Sequence, residues 1–286
     1  MTETYSSVAV VVVHYKSPDS LAATVRNLRQ HLPADQIVVV DNSASLDREQ
    51  LDQVIVLSDG DNRGYAGGVN YGIKYVSNNM PHASEILVCT HETLFRDNAL
   101  QSLLTTACSY PQGHIVAPRL VTADKRGNEI TWSNGGFYTF PFLYPKHATR
   151  PGASALRTAR WVDGAAFLID LDTWGKLGGI PEEFFMYMED VALGELCRKH
   201  KIPVVVDQRA VVEQTANGPS RHLAIRNRVM LAKRYMGFPR GAVVLFDVAL
   251  RQVLMAIHPS NVVRQKAAES RSAYHEATKI ISDLQH

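Results

Sequence analysis

Two segments of this chain carry side chains able to do chemistry. In Asn62-Arg63-Gly64-Tyr65-Ala66-Gly67-Gly68-Val69-Asn70-Tyr71-Gly72, four glycines in eleven positions surround an arginine. Glycine lets a backbone approach a ligand closely and adopt positive φ at little cost. A guanidinium is a fork of donors matched to diphosphate oxygens. Upstream, the apolar run Ile37-Val38-Val39-Val40 ends in Asp41-Asn42, where a carboxylate can hold a nucleoside ring or a ribose hydroxyl. The second segment, Phe184-Phe185-Met186-Tyr187-Met188-Glu189-Asp190, puts two adjacent acids after an aromatic run. A carboxylate there can take the proton of an attacking hydroxyl, which contributes about 10²–10⁴ in rate.

Each segment also has a plainer explanation. The glycines suit a turn followed by a tightly packed helix, Asp41-Asn42 suits a turn, and Glu189-Asp190 suits a helix macrodipole. Glu92, beside His91, follows a strand and could hold Mg²⁺ or Mn²⁺ against a diphosphate, since hard cations bind carboxylate and phosphate oxygens together. It could equally be a solvated loop residue. Arg221, Arg226 and Arg228 lie on a basic helix that is either a solvated face or a neutraliser of a leaving diphosphate.

These residues need a scaffold, and the hydrophobic pattern supplies one. Val8 to Val13 is an unbroken β-branched run, the mark of a strand buried on both faces of a parallel sheet. Asp19 or Ser20 can cap a helix carrying Leu21, Val25, Leu28 and Leu32 at helical spacing. Strands follow at 36–40, 54–57, 85–89 and 114–117, interleaved with helices carrying Val69, Ile73 and Val76, and then Leu100, Leu103 and Leu104. This alternation predicts a doubly wound parallel sheet over residues 1–120. Ligands of such sheets bind at the carboxyl ends of the strands, where Tyr15, Asp41 and Glu92 fall. Residues 125–151 read as a long irregular insertion. A strand around Asp163 and a short helix at 171–177 come next, then a helix opened by Glu189-Asp190 and a strand at 204–206. Residues 221–235 form a basic amphipathic helix and 241–257 a more apolar one. The last 25 residues are polar and helical in composition, either frayed or used for self-association.

Composition narrows the function. Lys+Arg of 30 against Asp+Glu of 28 leaves +2, which predicts no dominant electrostatic partner and no nucleic acid. Cys89, Cys108 and Cys197 have neither zinc nor disulfide spacing and suit reduced core thiols. The polar N-terminus is no signal peptide and no window approaches a membrane span, so a cytoplasmic protein is expected. A dinucleotide-binding fingerprint fits poorly, because the first strand is followed by His14-Tyr15-Lys16-Ser17-Pro18 with no glycine.

In this order, the motifs resemble the inverting nucleotide-sugar glycosyltransferases of family 2, in particular their rhamnosyltransferase-like branch. The resemblance covers roughly residues 8 to 237. It rests on His14-Tyr15, Val40-Asp41-Asn42-Ser43, the Asn62–Asn70 loop, Gly164-Ala165-Ala166-Phe167-Leu168-Ile169, Phe185-Met186-Tyr187-Met188-Glu189-Asp190-Val191 and Arg226-Asn227-Arg228. The resemblance implies an α/β GT-A fold: a Rossmann-like, mostly parallel sheet flanked by helices. The catalytic domain would span 1–237, with a nucleotide half (1–120), an acceptor half (121–237) and a C-terminal helical extension (238–286). It implies Asp41 on the nucleoside, Arg63, Gly64 and Asn70 on the diphosphate and sugar, and Asp190 as base with Glu189 orienting it or binding acceptor. Tyr15, Glu92, Asp163 and Arg226 complete the candidate donor contacts, with Glu92 as metal ligand.

Two departures bear on the metal. The family's last Asp after the fourth strand is here the Glu of Thr90-His91-Glu92, and its later His is here Gln214, a poor metal ligand. The expectation is a glycosyltransferase moving a deoxyhexose, rhamnose in the first instance, from a dTDP- or UDP-sugar to a cell-surface glycan or lipid-linked acceptor. The apolar helix at 241–257 either docks to that lipid or the inner membrane face, or is a core or homodimer helix. A catalytically degenerate nucleotide-sugar-binding protein is the rival from another class. Asp190 argues against it, since a binding module needs no base.

Overall fold

The structure is a computed structural model and describes residues 6–46, 51, 53–215 and 220–285. Its centre is a ten-stranded sheet. Strand β1 (Val8–His14) lies between β2 (Ile37–Asp41) and β4 (Glu85–Thr90), parallel to both, and β3 (Ile55–Leu57) extends the sheet beyond β2. Alternate residues of β1 enter two different cores. Val8, Val10 and Val12 face α1 (Pro18–Leu28) and α3 (Ala99–Ala107), whereas Ala9, Val11 and Val13 face α2 (Gly64–Asn79). Burial on both faces is why this strand reads as a continuous apolar run rather than an alternating one.

As suits a mostly parallel sheet, the run of parallel neighbours stops at β4. Its next neighbour is β11 (Ala166–Asp170), which runs antiparallel and separates β4 from β6 (Ile115–Ala123). Beyond β6 comes the parallel β12 (Val204–Gln214), flanked by the antiparallel β5 (Thr93–Phe95) and β10 (Leu156–Thr158). A strand delivered from a distant part of the chain has no sequence mark of its direction, so β11 could be predicted as a strand but not as an antiparallel one.

Four further expectations are corrected. From Gly64 onward the glycine-rich segment is not a loop before a helix but the opening turns of α2, and α1 starts after Ser17 with Pro18 in its first turn, not at an Asp19 or Ser20 cap. Residues 125–151 are not irregular. They hold β7 (Glu129–Ser133), paired with β6, and a hairpin of β8 (Gly136–Thr139) and β9 (Tyr144–His147). Of the three cysteines, Cys89 and Cys197 are core thiols that burial pushes up to about 12, but Cys108 is exposed.

The remaining helices are α4 (Leu171–Leu177), α5 (Glu189–His200), α6 (Arg221–Arg234), α7 (Arg240–Ala256) and α8 (Asn261–Asp283). The last three pack together over a third core that reaches Trp161, Phe184 and Val191. Helix α8 is one continuous element, not a frayed end, and its small residues Ala267, Ser270, Ala273 and Ala277 are buried. Among the described residues no helix is long and apolar enough to cross a membrane.

Candidate active site

A cavity of about 660 Å³ opens at the carboxyl ends of β1 and β4. Of the ten site residues expected from sequence, it is lined by Tyr15, Gly64, Glu92, Asp163, Glu189 and Asp190. Asp41, Arg63, Asn70 and Arg226 are not part of the lining.

Those four are engaged elsewhere. The Asp41 carboxylate accepts from the backbone N–H groups of Ser43, Ser45 and Leu46 and from the Ser43 hydroxyl, at 2.7–3.0 Å. Burial works to raise its pKa, but these bonds and the nearby His14 outweigh burial and lower it. Asp41 thereby organises the loop after β2. Arg63 pairs with Asp59 and lies over the Tyr71 ring, 4.5 Å from its centre. Asn70 donates to the Ile180 carbonyl at 2.8 Å and to Glu182 at 2.7 Å, tying α2 to the segment before the acid pair. Arg226 is buried and donates to Phe184 O at 2.7 Å and to Glu276 at 3.0 Å. The glycines of α2 serve its approach to the sheet: a β-carbon on Gly72 would stand 2.4 Å from Val11 Cγ1.

Glu189 and Asp190 open α5 inside the cavity. Asp190 accepts from Val191 N at 2.7 Å and, from across the cavity, Gly164 N at 3.3 Å. Desolvation, with the Asp163 carboxylate close by, pushes Asp190 up to about 7. Burial and the neighbouring Asp190 drive Glu189 well above the usual carboxylate range, and its Oε2 has no hydrogen-bond partner among the described residues. Asp163 is held from two sides, accepting from Ala165 N at 2.8 Å and from the Trp132 indole at 2.9 Å. Three carboxyls thus face one volume, and one of them changes charge near neutrality. Such a group can accept a proton from a hydroxyl and hold it.

The opposite wall contains His14, buried at the end of β1. Burial, reinforced by His91 5.0 Å away, lowers its pKa to about 4, so the ring is neutral, and neither of its nitrogens has a partner among the described residues. His91 Nδ1 lies 3.1 Å from Val13 O, which can only accept, so Nδ1 carries a proton and any metal ligation would fall to Nε2. That Nε2 is 3.8 Å from Glu92 Oε1. One imidazole and one carboxylate suit two positions of a divalent cation, the remainder falling to phosphate oxygens and water. Among the described residues no three His, Cys, Asp or Glu side chains converge as a complete set.

Sequence reasoning missed the aromatic wall, Trp132, His147 and Trp161. The ring of His147 sits 5.3 Å from that of Trp132 and 4.7 Å from that of Trp161. The signal was Trp132-Ser133-Asn134-Gly135-Gly136, where Gly136 packs so tightly that a β-carbon would meet the Trp161 indole at 2.0 Å.

A family model described as glycosyl transferase family 2 matches residues 9–163, over half of the 286. The chain is 27% identical over 218 residues to the low-salt glycan biosynthesis hexosyltransferase Agl10 of Haloferax volcanii, covering 74% of this chain and 67% of that protein. It is 26% identical over 233 residues to the N-acetylglucosaminyl-diphospho-decaprenol L-rhamnosyltransferase of Mycobacterium tuberculosis, covering 71% and 75%. Among solved structures, GalNAc-T7 with UDP, GalNAc and Mn²⁺ superposes with a TM-score of 0.62 at 12% identity. That match takes in 97% of this chain, which spans 57% of that one. The mannosyltransferase PcManGT from Pyrobaculum calidifontis, in complex with GDP-Man and Mn²⁺, superposes with a TM-score of 0.51 at 13% identity, covering 98% and 79%. At these identities the superpositions establish the GT-A fold alone.

Proposed function

The chain belongs to glycosyl transferase family 2, and from that premise we propose that it is an inverting hexosyltransferase. It moves a hexose or deoxyhexose, rhamnose in the first instance, from a dTDP- or UDP-sugar to a hydroxyl of a cell-surface glycan or lipid-linked glycan. The observation that carries this reading is Asp190: a carboxylate at the head of a helix, inside the cavity, pushed up to about 7. It removes the acceptor proton as the hydroxyl attacks the anomeric carbon, and the nucleoside diphosphate leaves from the opposite face. Glu189 orients it or binds acceptor. Gly64, Tyr15 and the His14–His91 wall lie where the donor would sit, and Trp132, His147 and Trp161 offer ring faces to an acceptor sugar. Where a divalent cation is bound, Glu92 and His91 would hold it, and it would neutralise charge on the diphosphate.

The reading extends to a surface. Val243, Phe246, Leu250, Val253 and Ile257 recur every three or four residues along α7 and are exposed, while Val244, Asp247 and Val248 face inward. Arg240, Arg251, Arg264, Lys266 and Arg271 outnumber Asp247 and Glu269 over residues 240–272. An exposed apolar stripe in a stretch of basic excess, although Arg240 and Arg251 are paired with Glu195 and Asp247, suits the face of an anionic bilayer, where a lipid-linked acceptor would reside. Homodimerisation through this stripe is the competing arrangement.

The alteration at Thr90-His91-Glu92 favours one second reading, a nucleotide-sugar-binding protein that has lost turnover. Calorimetric titration with dTDP, UDP, GDP, CDP and NAD⁺, with and without Mg²⁺, tests the donor site. Selective binding of dTDP or UDP is expected, and binding of none overturns the donor assignment. Transfer by the protein, lost in Asp190→Asn with nucleotide affinity kept, separates the enzyme from the binding protein.

A further inference from the structure

We propose that Asn227 is a positioning residue for Asp190. The proposal rests on Asp190 being the base. The segment that delivers Asp190 has an unusual backbone: Phe185, Tyr187 and Met188 all take positive φ, at 62°, 70° and 68°. Phe185, with ψ of −54°, is the centre of a γ-turn of the rare positive-φ type, closed by Met186 N donating to Phe184 O at 2.7 Å. Met188 is left-handed at the position that begins α5, where an extended residue with a side-chain acceptor is usual. Side chains rarely adopt such conformations unless the surroundings impose them.

Asn227 imposes them. It is fully buried on α6, and its Nδ2 donates to Met186 O at 2.8 Å and to Tyr187 O at 2.7 Å. Its Oδ1 accepts from Arg226 Nε at 2.8 Å, and the same guanidinium donates to Phe184 O. From the opposite side Tyr65 N donates to Phe185 O at 2.9 Å. Four consecutive carbonyls, 184 to 187, are therefore each held by a donor from α2 or α6, and Asn227 supplies two of the four. Asn227 holds the carbonyls of 186 and 187, next to Met188 and the start of α5, so the direction in which α5 starts, and with it the Asp190 side chain, depends on its carboxamide. Sequence marks the residue only as the middle of Arg226-Asn227-Arg228.

The test is the titration of Asp190, followed by its ¹³Cγ resonance, in the full chain. The groups facing Asp190 are Asp163 ahead of β11, Glu189 beside it and Tyr65 on α2. Asn227→Leu keeps the volume, adds no charge and removes both donors. The expected result is a midpoint near 7 in the unaltered protein that falls by about one unit or more in Asn227→Leu as Asp190 gains water. Affinity for UDP or dTDP should stay the same and melting should remain cooperative. Adding Met188→Gly should restore part of the shift, because glycine adopts positive φ freely. If Asn227→Leu does not fold, Asn227→Ala, which also has no side-chain donor, carries the same comparison. A midpoint near 7 that survives the loss of both donors overturns the positioning role alone. An ordinary carboxylate midpoint in the unaltered protein overturns the base assignment first, and this role with it.

Discussion

Gly64 meets Phe185 at a separation that leaves room for hydrogen only: a β-carbon built on Gly64 would stand 2.3 Å from the Phe185 carbonyl oxygen. Gly64 also has φ of +69°, so an L side chain is disfavoured there by backbone as well as by space. Helix α2 and the turn before α5 are thus in contact at their backbones, and the glycine-rich motif and the acid motif form one assembly.

Gly64→Ala is expected to lower stability by about 1–3 kcal/mol, through strain at positive φ and displacement of Phe185. Urea denaturation measures it. A change under about 0.5 kcal/mol would show that the turn can move away freely.

Asp190 supplies two expectations of opposite sense. In the proposed role of base it must be charged, so kcat/KM should rise with pH up to about 7 and level above it, and Asp190→Asn should lose about 10²–10⁴ in kcat. For stability the sign reverses. The folded pKa lies above the unfolded value, so between about pH 4 and 7 the folded state binds the extra proton and stability falls as pH rises. Asp190→Asn should therefore melt higher than the unaltered protein at pH 8 and no higher at pH 4. Equal melting at both would show that the carboxyl is solvated in the folded protein.

His114 gives a pH dependence at the other end of the sheet. Burial alone would lower its pKa, but Glu85, 3.0 Å from Nε2, and Asp170 outweigh burial and raise it. Its stabilisation is fully present below about pH 6.5 and is lost as pH rises through the folded value. Glu85→Gln should flatten that part of the melting profile. An unchanged profile would assign the pH dependence to other groups.

With His91 and Glu92 as its two cation ligands, the protein should take up Mn²⁺ weakly alone and tightly once UDP or dTDP brings phosphate oxygens. Electron paramagnetic resonance of free Mn²⁺ follows this. Glu92→Gln should weaken the nucleotide-dependent uptake about tenfold or more, and uptake that ignores the substitution would place the metal elsewhere.

Strands β1, β2 and β4 were legible because they are buried on both faces and so read as apolar runs, as Val8 to Val13 does. The site was legible where a residue type has few other uses: Gly64 at positive φ, and Glu189 with Asp190 behind an aromatic run. What could not be read was which partners a side chain would find. Arg63 and Arg226 are donors suited to phosphate, yet Asp59 and the carbonyl of Phe184 lie within their reach, and only the folded chain reveals that. Strands β7, β8 and β9 escaped because each is short and rich in polar, glycine or proline residues. Trp132 and His147 were overlooked with them.

The Arg226–Glu276 ion pair has a consequence for the making of the protein. A ribosome completes the glycine-rich motif, the acid pair and Asn227 well before it reaches Glu276, so for an interval the nascent chain has both motifs without the carboxylate that steadies Arg226 under Phe184. Helix α8, made after both motifs, thus reaches the turn before α5 through Arg226, so that a chain released before Glu276 would carry the acid pair without this brace.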